Sequence, residues 1–162
     1  MQLDYLEFLR YTSGEREKWR TWLTAHPEAM DAPVQPGANF QSVGKLIDHI
    51  FIVERRHLQR LTGDPLSTST GLSANNVAPL FDYGASVRRE LEQFVGGLDD
   101  DQADVVRMFN VRDRDWPMTS RKLLFHILMH ETRHWAQIAL AVRLVGFEPP
   151  GDHDLFFSSA LK

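Results

Sequence analysis

Cysteine is absent from the 162-residue chain. Its absence removes disulfides, thiolate metal ligands and a cysteine nucleophile at once. No stretch approaches the ~20 apolar residues that a membrane-spanning helix needs. The first residues, MQLDYLEFLRY, carry acidic side chains and no long apolar run, so they do not read as a signal segment. The expectation is a cytoplasmic protein with no membrane partner. An excess of positive charge is missing too. Eighteen Lys and Arg stand against 22 Asp and Glu, a formal net charge of -4. A nucleic-acid partner is therefore not expected, and composition gives no support for a local basic patch. No internal repeat of fixed period is found.

What is present fits one helical domain over residues 1–162. The first helix is predicted from about Asp4 to Ala25, stopping before His26-Pro27 because the residue before proline avoids helical geometry. The loop HPEAMDAPVQPGANFQ follows. Ser42 is a plausible N-cap for a second helix ending near Leu61, before Thr62-Gly63-Asp64-Pro65. A third helix is predicted over Val77 to Val95 and a fourth from near Thr119 to Val145. Residues 98–118, including VVRMFNVRD, read either as a short extended excursion or as irregular loop. Trp135 and Trp116 are expected to pack. Leu155, Phe156 and Phe157 in the tail are expected to lie on the bundle or on a second subunit. Four long helices with no convincing sheet point to an all-α four-helix bundle. Two connections are long, so a simple up-down order does not follow.

Five of the seven histidines fall in two of these helices: His49 and His57 in the second, His126, His130 and His134 in the fourth. His130 and His134 are four apart, so they lie one turn apart on one face. At about 100° per residue they share that face with Leu123, Ile127, Gln137 and Ala141, which reads as the inward stripe. Such pairs also fall by chance on solvated faces. Facing inward, however, two imidazoles need a partner, and a metal ion satisfies both. A third ligand then comes from a facing helix, leaving a position open for water or substrate. His57 sits nearer the centre of the second helix's apolar stripe and His49 nearer its edge, so the wheel slightly favours His57. His126 lies about 60° off the pair's direction and reads as a neighbour of the site. Arg56 and Gln137 are candidates to orient an anionic or polar substrate group, although Arg56 also reads as a solvated helix residue.

The string His130-Glu131-Thr132-Arg133-His134 matches H-E-x-x-H, which in zinc metallopeptidases supplies two ligands and a general base. That would make Glu131 catalytic. The longer form of the motif needs Gly and then His further on, where this chain has Gln137 and Leu140. No downstream acidic ligand is evident on another helix, so the peptidase is the weaker reading.

The segment LLFHILMHETRHWAQIALAVRLVG resembles the last core helix of the DinB/YfiT-like superfamily: a histidine, three residues, a second histidine, then a small residue and glutamine. SVGKLIDHIFIVERRHLQRL resembles that family's second helix. The resemblance implies a four-helix bundle with a three-histidine site and assigns the ligands as His49, His130 and His134, so His57 becomes a supporting residue. It implies one divalent ion (nickel, zinc or iron), a homodimer, and, in some relatives, transfer of a low-molecular-weight thiol to a small electrophile. A cysteine-free protein would take that sulfur from a cosubstrate. The alternative is a non-catalytic metal or small-ligand binding protein of a stress response.

Overall fold

Asp4, Ser42 and Thr119 each begin a long helix by accepting a backbone N–H on a side-chain oxygen, at 2.8, 3.4 and 3.1 Å. The computed structural model describes residues 4–34 and 40–160. Within it the chain forms α1 (Tyr5–Ala25), α2 (Val43–Thr62), α3 (Val77–Gly96), a short α4 (Asp100–Asp104), a hairpin β1 (Val106–Val111) and β2 (Arg114–Thr119), and α5 (Ser120–Leu144). Part of the predicted loop between the first two long helices, and the last two residues of the tail, lie outside the described residues. In the described part of that loop, Pro27–Asp31 forms a 3-10 turn. α2 stops at Gly63, whose φ of 82° places it in the left-handed region that glycine tolerates.

Among the described residues the protein is mostly helical, with five α-helices, two short 3-10 helices and a two-stranded sheet. The hairpin corrects the expectation of a chain without a sheet and settles the undecided stretch 98–118. Its strands pair from Val106↔Thr119 to Val111↔Arg114, which leaves Arg112 and Asp113 as a two-residue turn. Both have positive φ, 54° and 59°. That combination defines a type I′ turn, normally an Asn-Gly or Asp-Gly position, so the usual sequence signal is missing. Pro117 sits in β2, as an edge strand permits.

α1 and α2 each pack against both α3 and α5. The two helices that follow one another at the start of the chain thus oppose each other across the core, as a long first connection allows. Two apolar clusters fill the interior. One is built around Trp19, Phe51, Leu80, Trp135 and Ile138. The other gathers Leu9, Leu58, Leu91, Leu124 and Leu128. Trp135 is buried and stacks on Trp19 at 5.7 Å, as expected of a packing residue. Trp116 does not meet that expectation: it is 49% exposed, on the hairpin. Of the two places expected for the tail, the bundle surface does not cover it, since Phe156 is 89% exposed and Phe157 62%.

A charged layer lies between the two clusters. Each long helix contributes one member: Arg16, Glu54, Arg88 and Glu131, all 7% exposed or less. Arg16 reaches Glu131 at 2.5 Å and also bonds Glu54. Arg88 reaches Glu54 at 2.8 Å and Glu131 at 2.6 Å. Remaining donors go to the Gly84 carbonyl from Arg16, and to the Leu9 carbonyl and Thr12 Oγ1 from Arg88. Two positive and two negative charges cancel, and a desolvated ion cluster needs that balance together with full hydrogen bonding. Gly84 leaves room for this layer: a Cβ there would stand 2.8 Å from the Phe51 ring, over which the Arg16 guanidinium sits.

Candidate metal centre

His49 from α2 and His130 and His134 from α5 converge. His130 Nε2 lies 3.1 Å from His49 Nε2 and 3.1 Å from His134 Nε2. One ligand nitrogen from each of the three lies within 4.8 Å of the others. Nitrogens held about 2.0–2.1 Å from one tetrahedral ion would be roughly 3.3 Å apart, so the three imidazoles fit a common divalent ion. They are half-buried and come from two rigid helices, which limits how far they can spread. His134 is oriented from behind. Its Nδ1 pairs with Gln137 Oε1 at 2.6 Å, which places the proton on Nδ1 and leaves Nε2 free to ligate. Phe40 lies against the His49 ring at 4.2 Å.

Electrostatics favour neutral, ligating imidazoles. Burial pushes His49 down to about 4, helped by His134, Arg56 and Arg112. Burial pushes His130 down to about 3, helped by its histidine neighbours. For His134, too, burial lowers the pKa, against the bond to Gln137. A neutral imidazole is the form that binds metal, so no proton has to be displaced near neutral pH.

The other sequence candidates are placed as follows. His57 is not at the triad. It is buried, its ring meets His126 at 5.1 Å, and its Nδ1 has no hydrogen-bond partner among the described residues. His126 bridges in space between His57 and His130, with ring centres 5.1 and 5.7 Å away. Arg56 lines the cavity beside His49 and donates to the Ser67 carbonyl at 2.8 Å and to the Thr68 carbonyl. It is therefore no freely solvated residue. The predicted inward stripe of α5 holds in part: Leu123, Ile127 and Ala141 are buried, whereas Gln137 is exposed and His130 and His134 are half-buried. The buried face is wider than that stripe and extends through Leu124, Leu128, Glu131, Trp135, Ile138 and Val142, with the histidine pair on its flank.

The inclusion of Glu131 in that buried face corrects the role assigned to it. Its carboxylate is 1% exposed, and both oxygens accept from Arg16, Arg88 and Trp135. Burial alone would raise its pKa, but Arg16 and Arg88 outweigh it and hold the group at about 2. A carboxylate saturated by two guanidiniums and shut off from solvent cannot take a proton from water at the histidines. One residue away from His130 on a helix means about 100° away in direction, and the H-E-x-x-H string here joins two unrelated sites.

A cavity of about 960 Å³ opens over His49 and His130, between α2, α5 and the hairpin. Sequence reasoning missed most of its wall, because the hairpin that supplies Val111, Arg112, Arg114, Trp116 and Met118 was not resolved as an element. The signal was the density of arginine in RRHLQR and VRDR.

His57 leads to a measurable consequence. Burial pushes it down to about 3, with His126 and Arg60 adding repulsion. Above pH 6.5 it is neutral in both folded and unfolded chains and does not affect the balance. Below 6.5 only the unfolded chain takes up the proton, so stability falls as the pH drops from 6.5 toward 3. The expected loss at pH 5 is about 2 kcal/mol from this group. Urea unfolding of the native protein and of His57→Gln between pH 7.5 and 5 checks it: the variant's slope should be shallower. Equal slopes would mean that His57 is protonated in the fold.

A mainly helical core with three histidines gathered on two of its helices is an arrangement that could hold a metal ion. The chain matches the DinB family over residues 1–160, and it belongs to that family. No curated protein matches it. Among the described residues, no helix is long and apolar enough to cross a membrane.

Proposed function

We propose that this protein is a metal-dependent enzyme of the DinB type, a four-helix bundle that holds one divalent ion on His49, His130 and His134 and transfers a low-molecular-weight thiol to a small electrophile. The observation that carries the reading is the convergence of three imidazole nitrogens, those of His49 and His130 facing an open cavity. When bound, the ion would supply Lewis acidity and lower the pKa of a water or thiol that reaches it. The chain's own residues do the rest. Gln137 orients His134, Phe40 screens His49, and the cavity wall positions what enters. No cysteine competes for the ion, so the sulfur comes from a cosubstrate. The reading takes the protein as cytoplasmic, and a second copy is the partner that the exposed Leu155, Phe156 and Phe157 suit.

The test is a titration of the cobalt- or nickel-loaded protein with cysteine, glutathione and related small thiols, followed in the visible and near-ultraviolet. New sulfur-to-metal absorption is expected. An unchanged spectrum with every thiol would remove the transferase. One observation favours a non-catalytic binding protein: with Glu131 consumed by the ion layer, no carboxylate among the described residues joins the three histidines. A thiol-dependent spectrum with no transfer to any electrophile would decide for it.

A further inference from the structure

We infer that the cavity over the triad is a receptor for an extended small molecule with two or more anionic groups, carboxylates or phosphates, joined by an apolar segment. The inference deepens the reading above and rests on it for the cavity being a substrate chamber. Six cations line the wall: Arg56 and Arg60 from α2, Arg112 and Arg114 from the hairpin, Lys122 and Arg133 from α5. No aspartate or glutamate lines it among the described residues. Among the described residues none of the six forms an ion pair, although Arg56 donates to the Ser67 and Thr68 carbonyls and Arg60 to the Asn110 carbonyl, whereas Arg16, Lys18, Arg20, Arg55, Arg88 and Arg121 all form ion pairs. In a chain of net charge -4, gathering unpaired cations around one concavity repels each from the others, and an anionic ligand relieves that repulsion. A divalent ion on three neutral histidines would add to the same field.

A second feature points the same way. Arg112 holds φ at 54°, at the first central position of a type I′ turn, where asparagine or glycine is the unstrained choice. A side chain kept in an unfavourable backbone conformation at the rim of a cavity signals a use for that side chain. Spacing sets the size of the ligand. Lys122 and Arg133 are eleven residues apart on one helix, roughly 16 Å, so one compact anion cannot meet the whole set. The same wall carries Val53, Val111, Trp116, Met118 and Leu123, apolar side chains for the connecting segment. A concavity of this size facing the triad fits a small molecule better than a nucleic-acid strand.

The experiment is calorimetric titration of the metal-loaded protein at low salt with suberate, a dicarboxylate with a six-methylene spacer, beside its neutral diamide, inorganic phosphate and a ten-nucleotide single-stranded DNA. Suberate should bind, weaken with salt, and lose roughly fivefold in affinity in Arg112→Asn. Thermal stability of that variant should be unchanged or higher, because asparagine suits the turn. A merely structural arginine would not separate the two readouts. The diamide or phosphate binding as well as suberate, or Arg112→Asn binding as wild type, overturns the inference. DNA that binds more tightly and displaces suberate overturns it in favour of a nucleic-acid surface. Metal content is measured separately: suberate binding that persists in a metal-free His130→Ala variant upholds the anion receptor even where the metal reading fails.

Discussion

Replacing Glu131 by alanine is expected to lower the stability of the protein by about 3–5 kcal/mol, the cost of leaving a buried charge cluster unbalanced. Glu131 accepts from Arg16, Arg88 and Trp135 in a layer that excludes water. Its loss strands two guanidiniums with a single carboxylate, Glu54, and leaves a net positive charge among apolar residues. At roughly 2–4 °C per kcal/mol for a chain of this size, the melting temperature should drop by about 10 °C. Urea unfolding measures it, and a change within 0.5 kcal/mol would mean that the layer is hydrated and weak. The comparison with Arg88→Met/Glu131→Leu is informative. Removing one positive and one negative member together restores neutrality, so the double variant should cost less than the sum of its single changes. Glu131→Gln separates this role from a general base: a catalytic carboxylate would lose turnover with the fold intact, whereas a member of the layer loses stability first.

The same layer explains what could be read from the sequence and what could not. Helix boundaries were legible because they are local: Ser42, Gly63 and Thr119 act through bonds to residues three or four away. The pair His130/His134 was legible for the same reason, being fixed by helical period. Choosing between His49 and His57 was not a local matter. Both lie on α2, His57 nearer its apolar centre, and only the rotation of α2 against α5 decides which faces the pair. The buried ions did leave a trace. Arg16 stands in step with Leu9, Thr12, Trp19 and Leu23, and Glu131 in step with Leu124, Leu128, Trp135 and Ile138, all buried. A charge at a core position on each of four helices is a pattern, but its meaning appears only when the four are brought together. The hairpin stayed hidden because its turn is Arg112-Asp113 rather than a glycine pair, and with it went the basic wall of the cavity.

Substituting His130 by alanine should abolish stoichiometric metal binding, while His57→Ala should retain about one ion per chain. His130 is the common neighbour of the triad, with its Nε2 at 3.1 Å from both partners. Without it the remaining two imidazoles come from different helices with nothing between them, and an ion loses one of the three protein ligands that sites with an open position commonly use. His49→Ala should behave likewise. Gln137→Ala tests the next layer of support. It frees His134 to rotate and to shift its proton, and such outer partners typically matter by 10–100-fold in affinity. The expected order of retained metal after dialysis, read by elemental mass spectrometry, is therefore native and His57→Ala highest, Gln137→Ala lower, His49→Ala and His130→Ala lowest. The triad is misassigned if His57→Ala loses metal as fully as His130→Ala, since the ring of His57 packs on His126, which in turn lies beside His130. Equal loss would put the ion deeper along the row of histidines, between His57, His126 and His130. Retention in His57→Ala alongside loss in His49→Ala confines it to the α2–α5 face beside the cationic cavity, where a bound anion can reach it.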